Sequence, residues 1–412
     1  MEKFHKTDQI VAREKSPGLL FLCVLALITL TGPVAIHQFF PATPAVAMEF
    51  EVESPLAQMT VAVPMFSMAL MTLVFGPLAD RFGRRPILFW GMTLFMLGGF
   101  LSAGASSIWS LIGARLLQGA GGACGLALAR AIARDVYGTD RLVQVIAYLT
   151  MAYSLGPMIA PPIGGFLVEH FGWRANLLFA GSVGLVMLLL VWCILFETHK
   201  KADPQTSGSV YKNYLTLILN SRFSAFVLQS GLSSGAFFSL AAASSPLMYD
   251  FLNRPASEHG LYFMFFPAGY WLGNWVSSRL AGKLRLENMV LLGSSIIFGA
   301  TSIFAFLSLS PAFTPLSIFL PGFFITLGQG IALPNAQAGA ISAAGPNLIG
   351  TASGLGVFLQ LFMAGCFTQL FGVLADGSPI AAAITVNIAA VSGLFFAFLV
   401  WIRKSDNTKW SG

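Results

Sequence analysis

Residues 76–86 read GPLADRFGRRP, a short charged reversal between two apolar runs at 59–75 and 87–101. A pair of bilayer-crossing helices has to turn at such a stretch, because its charges stay in water while its flanks are soluble in lipid. Gly76 and Pro77 are expected to end the helix before it, and Gly83 supplies a backbone free of Cβ for a tight bend. Arg81, Arg84 and Arg85 then hold the turn at the wet face. Asp80 is the single carboxylate among those three cations, which suits a local ion pair or a cap on a neighbouring helix start. On charge alone the stretch also reads as a plain solvated loop.

The whole chain supports the membrane reading. Its 412 residues are 56% apolar and only 10% charged, with a mean hydropathy of +0.76, which excludes a soluble globular protein. The formal net charge of +6 does not point to nucleic acid, since no basic stripe interleaves with exposed aromatics and the 37 Phe fall in the apolar runs. Cys23, Cys124, Cys193 and Cys366 lie far apart inside apolar segments. Neither a disulfide nor a metal site is expected from that spacing. No nucleotide loop, catalytic triad or paired carboxylates occur, so neither an enzyme nor a cofactor is expected.

A crossing helix takes about 20 apolar residues, and twelve such windows recur, near 18–40, 57–76, 87–105, 109–130, 143–166, 176–196, 223–247, 258–279, 289–309, 314–335, 351–374 and 380–402. The leading segment reads as the run-in to a retained first helix, because no clear cleavage site follows it. If the N-terminus is inside, all but Arg115, Arg174 and Arg254 of the 23 Lys and Arg fall in inside segments, as the positive-inside rule requires for an even number of crossings with both ends cytoplasmic. The polar stretch 197–222 divides six helices from six. The expected organisation is an N-terminal bundle over 1–200, a linker over 201–222 and a C-terminal bundle over 223–412. A second basic reversal at 277–288 weakly echoes the first and suits a duplicated transporter.

Two features in the spans stand out. Arg115, Gln118, Gly119 and Gly122 share one face of the fourth span, and an arginine at that depth points to a functional contact or to snorkelling. In the fifth span Gly156, Ala160 and Gly164 recur every fourth residue, joined by Gly165 and interrupted by Pro157, Pro161 and Pro162. Such a stripe lets helices touch and bend.

The reversal at 76–86 resembles the signature loop of the major facilitator superfamily. Arg115-Leu-Leu-Gln118-Gly119 resembles its R-x-x-Q-G motif, and APPIGG at 160–165 resembles its antiporter motif in the alanine-first form of the bicyclomycin-resistance-type (Bcr/CflA) drug exporters. ARDVYG at 133–138 is a weaker likeness. The resemblance implies an all-α fold of twelve transmembrane helices in two six-helix bundles. It implies export of small amphipathic molecules by alternating access, with protons as a coupling partner, in the inner membrane of a bacterial-type cell. A monomer in the lipid bilayer is expected. The alternatives are an exporter or exchanger of an anionic metabolite such as a siderophore, and a membrane sensor that binds a ligand without moving it.

One departure stands beside the matches. Where the subfamily reads D-x-Y-L-P-A-L-P, this chain reads HQFFPATP at 37–44, so the two prolines place His37 at the family's membrane carboxylate. No Asp or Glu falls in the middle of a span, and histidine is the side chain that changes charge near neutrality. His37 is therefore the expected protonatable contact, or else a hydrogen-bonded residue of a kinked helix end. Arg115 and Gln118 are expected at the substrate or in coupling, with Gln38, Tyr153, Gln229, Ser233, Phe237, Asn335 and Gln360 along the path. Asp80 and Arg84 form the expected inner gate, and Gly119 and the 156–165 stripe the helix packing.

Overall fold

The computed structural model describes residues 18–198, 210–345 and 348–402. The basic residues of 1–17 and 403–412, and residues 201–209 of the expected linker, lie outside these. Among the described residues eleven helices are long and apolar enough to cross a membrane. In order they are Leu19–Glu49, Ser54–Phe82, Arg84–Ala103, Ile108–Tyr137, Gln144–Phe171 and Trp173–Ile194, then Ser221–Phe251, Leu286–Ser308, Pro315–Ala344, Ile349–Leu374 and Pro379–Ile402. The window expected at 258–279 is helical but divided into Ala256–Tyr262 and Phe265–Leu280. Counted as one eighth span, it completes twelve.

Proline chemistry sets the breaks. A proline lacks an N–H, and its ring crowds the carbonyl four residues earlier. Pro267 puts that crowding at Phe263, where the eighth span divides and Phe266 N turns back to Phe263 O at 3.1 Å. In the first span Pro33 and Pro41 place it at Thr29 and His37, where the helices Leu19–Thr29 and Thr31–His37 end. The first span then continues through Phe40–Ala42 to Glu49, beyond its expected end at 40. Gly76 and Pro77 do not end the second span as expected: the helix runs on to Phe82 and stops at Gly83, whose φ of +101° is left-handed. A single lost N–H is tolerated inside a membrane helix, whereas a reversal needs the residue without Cβ.

Between the fourth and fifth spans the backbone stays helical instead of opening into a loop. The chain nonetheless doubles back, since Arg130 Nη2 reaches Thr150 Oγ1 at 3.4 Å. The third span packs on the fourth and sixth, the first on the fifth, the seventh on the eleventh and twelfth, and the tenth on the eighth and ninth. The halves meet most extensively where the second span packs on the eleventh and the fifth on the eighth, and the end of the first span also touches the seventh and eighth. Large side chains such as Trp90 and Phe306 are exposed on the outer surface, as lipid-facing positions should be.

Candidate functional site

The fifth and eighth spans close one end of the molecule through backbone. A Cβ at Gly165 would strike the Ala256 carbonyl, and one at Gly260 would lie 2.6 Å from the Pro161 carbonyl oxygen. Ser257 N donates to Glu169 Oε2 at 3.0 Å across the same seam. Gln369 Nε2 donates to Pro55 O at 3.0 Å between the eleventh and second spans.

Beyond this seal a cavity of about 420 Å³ lies between the halves. It is lined by the first, fourth, fifth, seventh, eighth, tenth and eleventh spans. Its deep part is aromatic: the His37 ring lies 5.6 Å from Phe238 and 6.2 Å from Phe237, and Phe237 meets Phe266 edge-on at 5.7 Å. Amides and hydroxyls follow along the walls, including Tyr153, Tyr270, Asn274, Gln329, Gln337 and Gln360. Arg130, near the basic end of the fourth span, is the one cationic side chain in the lining, and no carboxylate lines it among the described residues.

Of the residues expected along the path, His37, Tyr153, Phe237 and Gln360 line this cavity, and Pro157 joins them from the packing stripe. Six others do not, because each is turned to a neighbouring helix. Gln38 donates from Nε2 to the Asn176 carbonyl at 2.9 Å and receives Asn176 Nδ2 on its own carbonyl at 2.9 Å. Gln229 Nε2 donates to Ser233 Oγ and Ser294 Oγ, both at 2.9 Å. Asn335 Nδ2 donates to Ser277 Oγ at 2.9 Å. Arg115 is 1% exposed; its Nε donates to Thr60 O at 3.0 Å, Nη1 donates to Gln118 Oε1, and the guanidinium stacks 4.3 Å from the Phe39 ring. The expectation that Arg115 and Gln118 face the substrate is thus replaced by a joint between the first, second and fourth spans.

Several residues of the small-residue stripe lie close against neighbouring helices. Cβ atoms at Gly119, Gly156 and Gly164 would run into Pro64, Pro33 and Gln38 respectively, and Ala160 is buried. A Cβ at Gly76 would meet no neighbouring helix within 4 Å. At the reversal Arg84 is buried and pairs with Asp80 Oδ1 at 2.7 Å and Asp135 Oδ2 at 3.2 Å. Glu197 accepts Arg84 N at 3.0 Å and Arg85 N at 3.2 Å, closing the first turn of the third span, where negative charge suits the helix dipole. Arg85 Nη2 reaches Trp192 O at 2.8 Å, and Arg81 lies 5.1 Å over Phe82.

Sequence reasoning missed three residues here. Asp135 sits in the ARDVYG stretch, and its acid was the available signal. Arg130 was assigned to the wet basic end, whereas the cavity reaches down to it. His259, on the short first piece of the eighth span, is buried, bonded through Nε2 to Ser244 Oγ at 2.8 Å, and flanked by Phe263 at 5.7 Å. His37 flanks the same Phe263 at 6.1 Å. The Nδ1 atoms of both histidines are buried without a hydrogen-bond partner among the described residues.

The sequence model of the Major Facilitator Superfamily matches residues 19–368. The chain belongs to that superfamily. As a superfamily member it is a membrane transport protein and not an enzyme. It is 28% identical over 346 residues to the bicyclomycin resistance protein homolog of Haemophilus influenzae, covering 83% of this chain and 86% of that one. To multidrug resistance protein D of Escherichia coli it is 29% identical over 370 residues, covering 88% and 90%. Among solved structures, the superfamily fold is shared with the peptide transporter POT in complex with sulfate at a TM-score of 0.77 and 14% identity, covering 97% and 98%. A bacterial homolog of the human lysosomal transporter Spinster gives 0.75 at 16% identity, covering 92% and 96%.

Proposed function

We propose that this protein exports small amphipathic organic molecules, drugs among them, by alternating access in a bacterial-type inner membrane. The observation that carries this reading is the cavity between the halves, aromatic at its deep end and walled by neutral amides and hydroxyls. Such a lining binds apolar bodies of varied shape and fixes them with few polar contacts. The resistance proteins named above support the outward direction, as does the APPIGG stripe, whose Gly165 meets the eighth span at the seal. Exchange of access is a rocking of residues 1–200 against 223–412 about the cavity, with 201–222 as the linker, and with Asp80, Arg84 and their neighbours setting the arrangement of the basic end. The charge distribution supports both termini in the cytoplasm. The protein works as a monomer.

Protons are the coupling ion in this reading, and His37 is their carrier. It lines the cavity where the subfamily has a carboxylate, and its Nδ1 is unpaired. The test is flux in proteoliposomes with an imposed pH gradient, using neutral, cationic and anionic aromatic solutes. Uptake driven by the gradient and lost in His37→Gln is expected. If no solute moves under any gradient, the protein binds without transporting.

A further inference from the structure

Among the described residues Arg130 is a cation without a counter-ion, in a cavity that no carboxylate lines. No carboxylate lies within 4 Å of it among the described residues; the nearest acid along its helix, Asp135, is taken by Arg84 and Arg134. Its Nη2 has one long contact, to Thr150 Oγ1 at 3.4 Å, and its Nε is buried with no hydrogen-bond partner. A guanidinium carries five N–H donors in a fixed fork, so most of its capacity is unused by the described residues.

While the cavity is open, water can solvate this charge. Closing the two halves over it removes that water, and a buried charge without a partner costs several kcal/mol. Something negative has to enter with it. The other half contributes neutral amides to the lining, Gln337 and Asn274 among them, which can hydrogen-bond an anion but cannot neutralise the arginine. We infer that Arg130 is the docking group for an acidic substituent of the transported molecule, and that the substrates of highest affinity are aromatic organic anions, with the carboxylate or equivalent acid on the guanidinium and the ring body in the cavity beyond it. The inference rests on the reading of this cavity as the transport site. It also explains how substrate and motion are linked: the acid that fills the fork lowers the barrier to closing over it, and a cationic solute raises that barrier.

Equilibrium binding to the purified protein in lipid nanodiscs tests this without requiring transport. The probes are 1-naphthoate, 1-naphthamide and 1-naphthylmethylammonium, which share a ring system and differ in charge. A charge-assisted hydrogen bond in place of a neutral one is worth on the order of ten- to a hundredfold in binding, so naphthoate is expected to bind that much more tightly than the amide, with the ammonium weakest. In Arg130→Gln the three affinities should converge, and Arg130→Lys should restore part of the anion preference. Thermal unfolding of each variant checks the fold. Affinities within about threefold of one another in the native protein overturn the inference, and so does an anion preference that persists in Arg130→Gln. Gradient-driven flux of the amide by a protein lacking anion preference keeps the export reading and removes this one; anion-selective binding with no flux of any probe does the reverse.

Discussion

Arg84 Nη2 lies 2.7 Å from Asp80 Oδ1 across the Gly83 reversal, while the same guanidinium reaches Asp135 on the fourth span. Arg84 is buried and Asp80 is 61% exposed, so the two carboxylates are not equivalent. Asp80→Asn should change stability by about 1 kcal/mol or less, because exposed ion pairs are worth little. It should nonetheless slow turnover, by releasing one of the two holds on the reversal. Initial flux at matched reconstitution checks this, and an unchanged rate would reduce Asp80 to a topogenic charge.

Asp135→Asn should be the more damaging change, since it leaves the buried Arg84 with only the solvent-facing partner. A loss of about 3 kcal/mol is expected from breaking a largely buried pair. Thermal unfolding of the two variants side by side would show the difference, and equal midpoints would contradict it.

Gly164 and Gly165 are neighbours in sequence with different partners. Gly164 meets Gln38 of the first span and Gly165 meets Ala256 of the eighth. Gly164→Leu should lower stability by about 1 to 3 kcal/mol through overpacking. Gly165→Leu should instead hold the seal apart, exposing a Ser257→Cys thiol to a membrane-impermeant reagent. Equal labelling with and without the leucine would show that this seam does not gate access.

Arg115 gives the opposite test from Arg130. Arg115→Ala strips partners from Gln118 Oε1 and removes the stack on Phe39, at about 2 to 3 kcal/mol. The ratio of naphthoate to naphthamide binding should stay as in the native protein. A collapse of that ratio would place Arg115 in the site after all.

What the sequence made legible was local. The reversal at 76–86, the positions of the spans and the packing stripe at 156–165 follow from apolar runs, charge and i, i+4 spacing, and these need no knowledge of neighbours. Which polar residues face the cavity was not legible, because a helix in lipid is rotated by what it packs on. Gln38, Gln229 and Asn335 were plausible path residues until their partners, Asn176, Ser294 and Ser277, came from other helices. Arg115 and Arg130 exchanged places for the same reason. A deep arginine attracts attention in a sequence, yet it can be satisfied by a carbonyl, an amide and a ring, whereas the arginine close to the wet end is the one left facing open volume.

The seal between the fifth and eighth spans is mostly glycine set against carbonyl, with Ser257 to Glu169 as its one hydrogen bond given above. Flat surfaces of this kind hold by fit and not by interlocked side chains or ion pairs, so they can part and meet again without choosing new rotamers or stripping charges of water. The two access states need differ little in energy at this seam. Which one prevails is then left to whatever occupies the cavity, and a small molecule with a few kcal/mol of differential affinity is enough to tip a machine of this size.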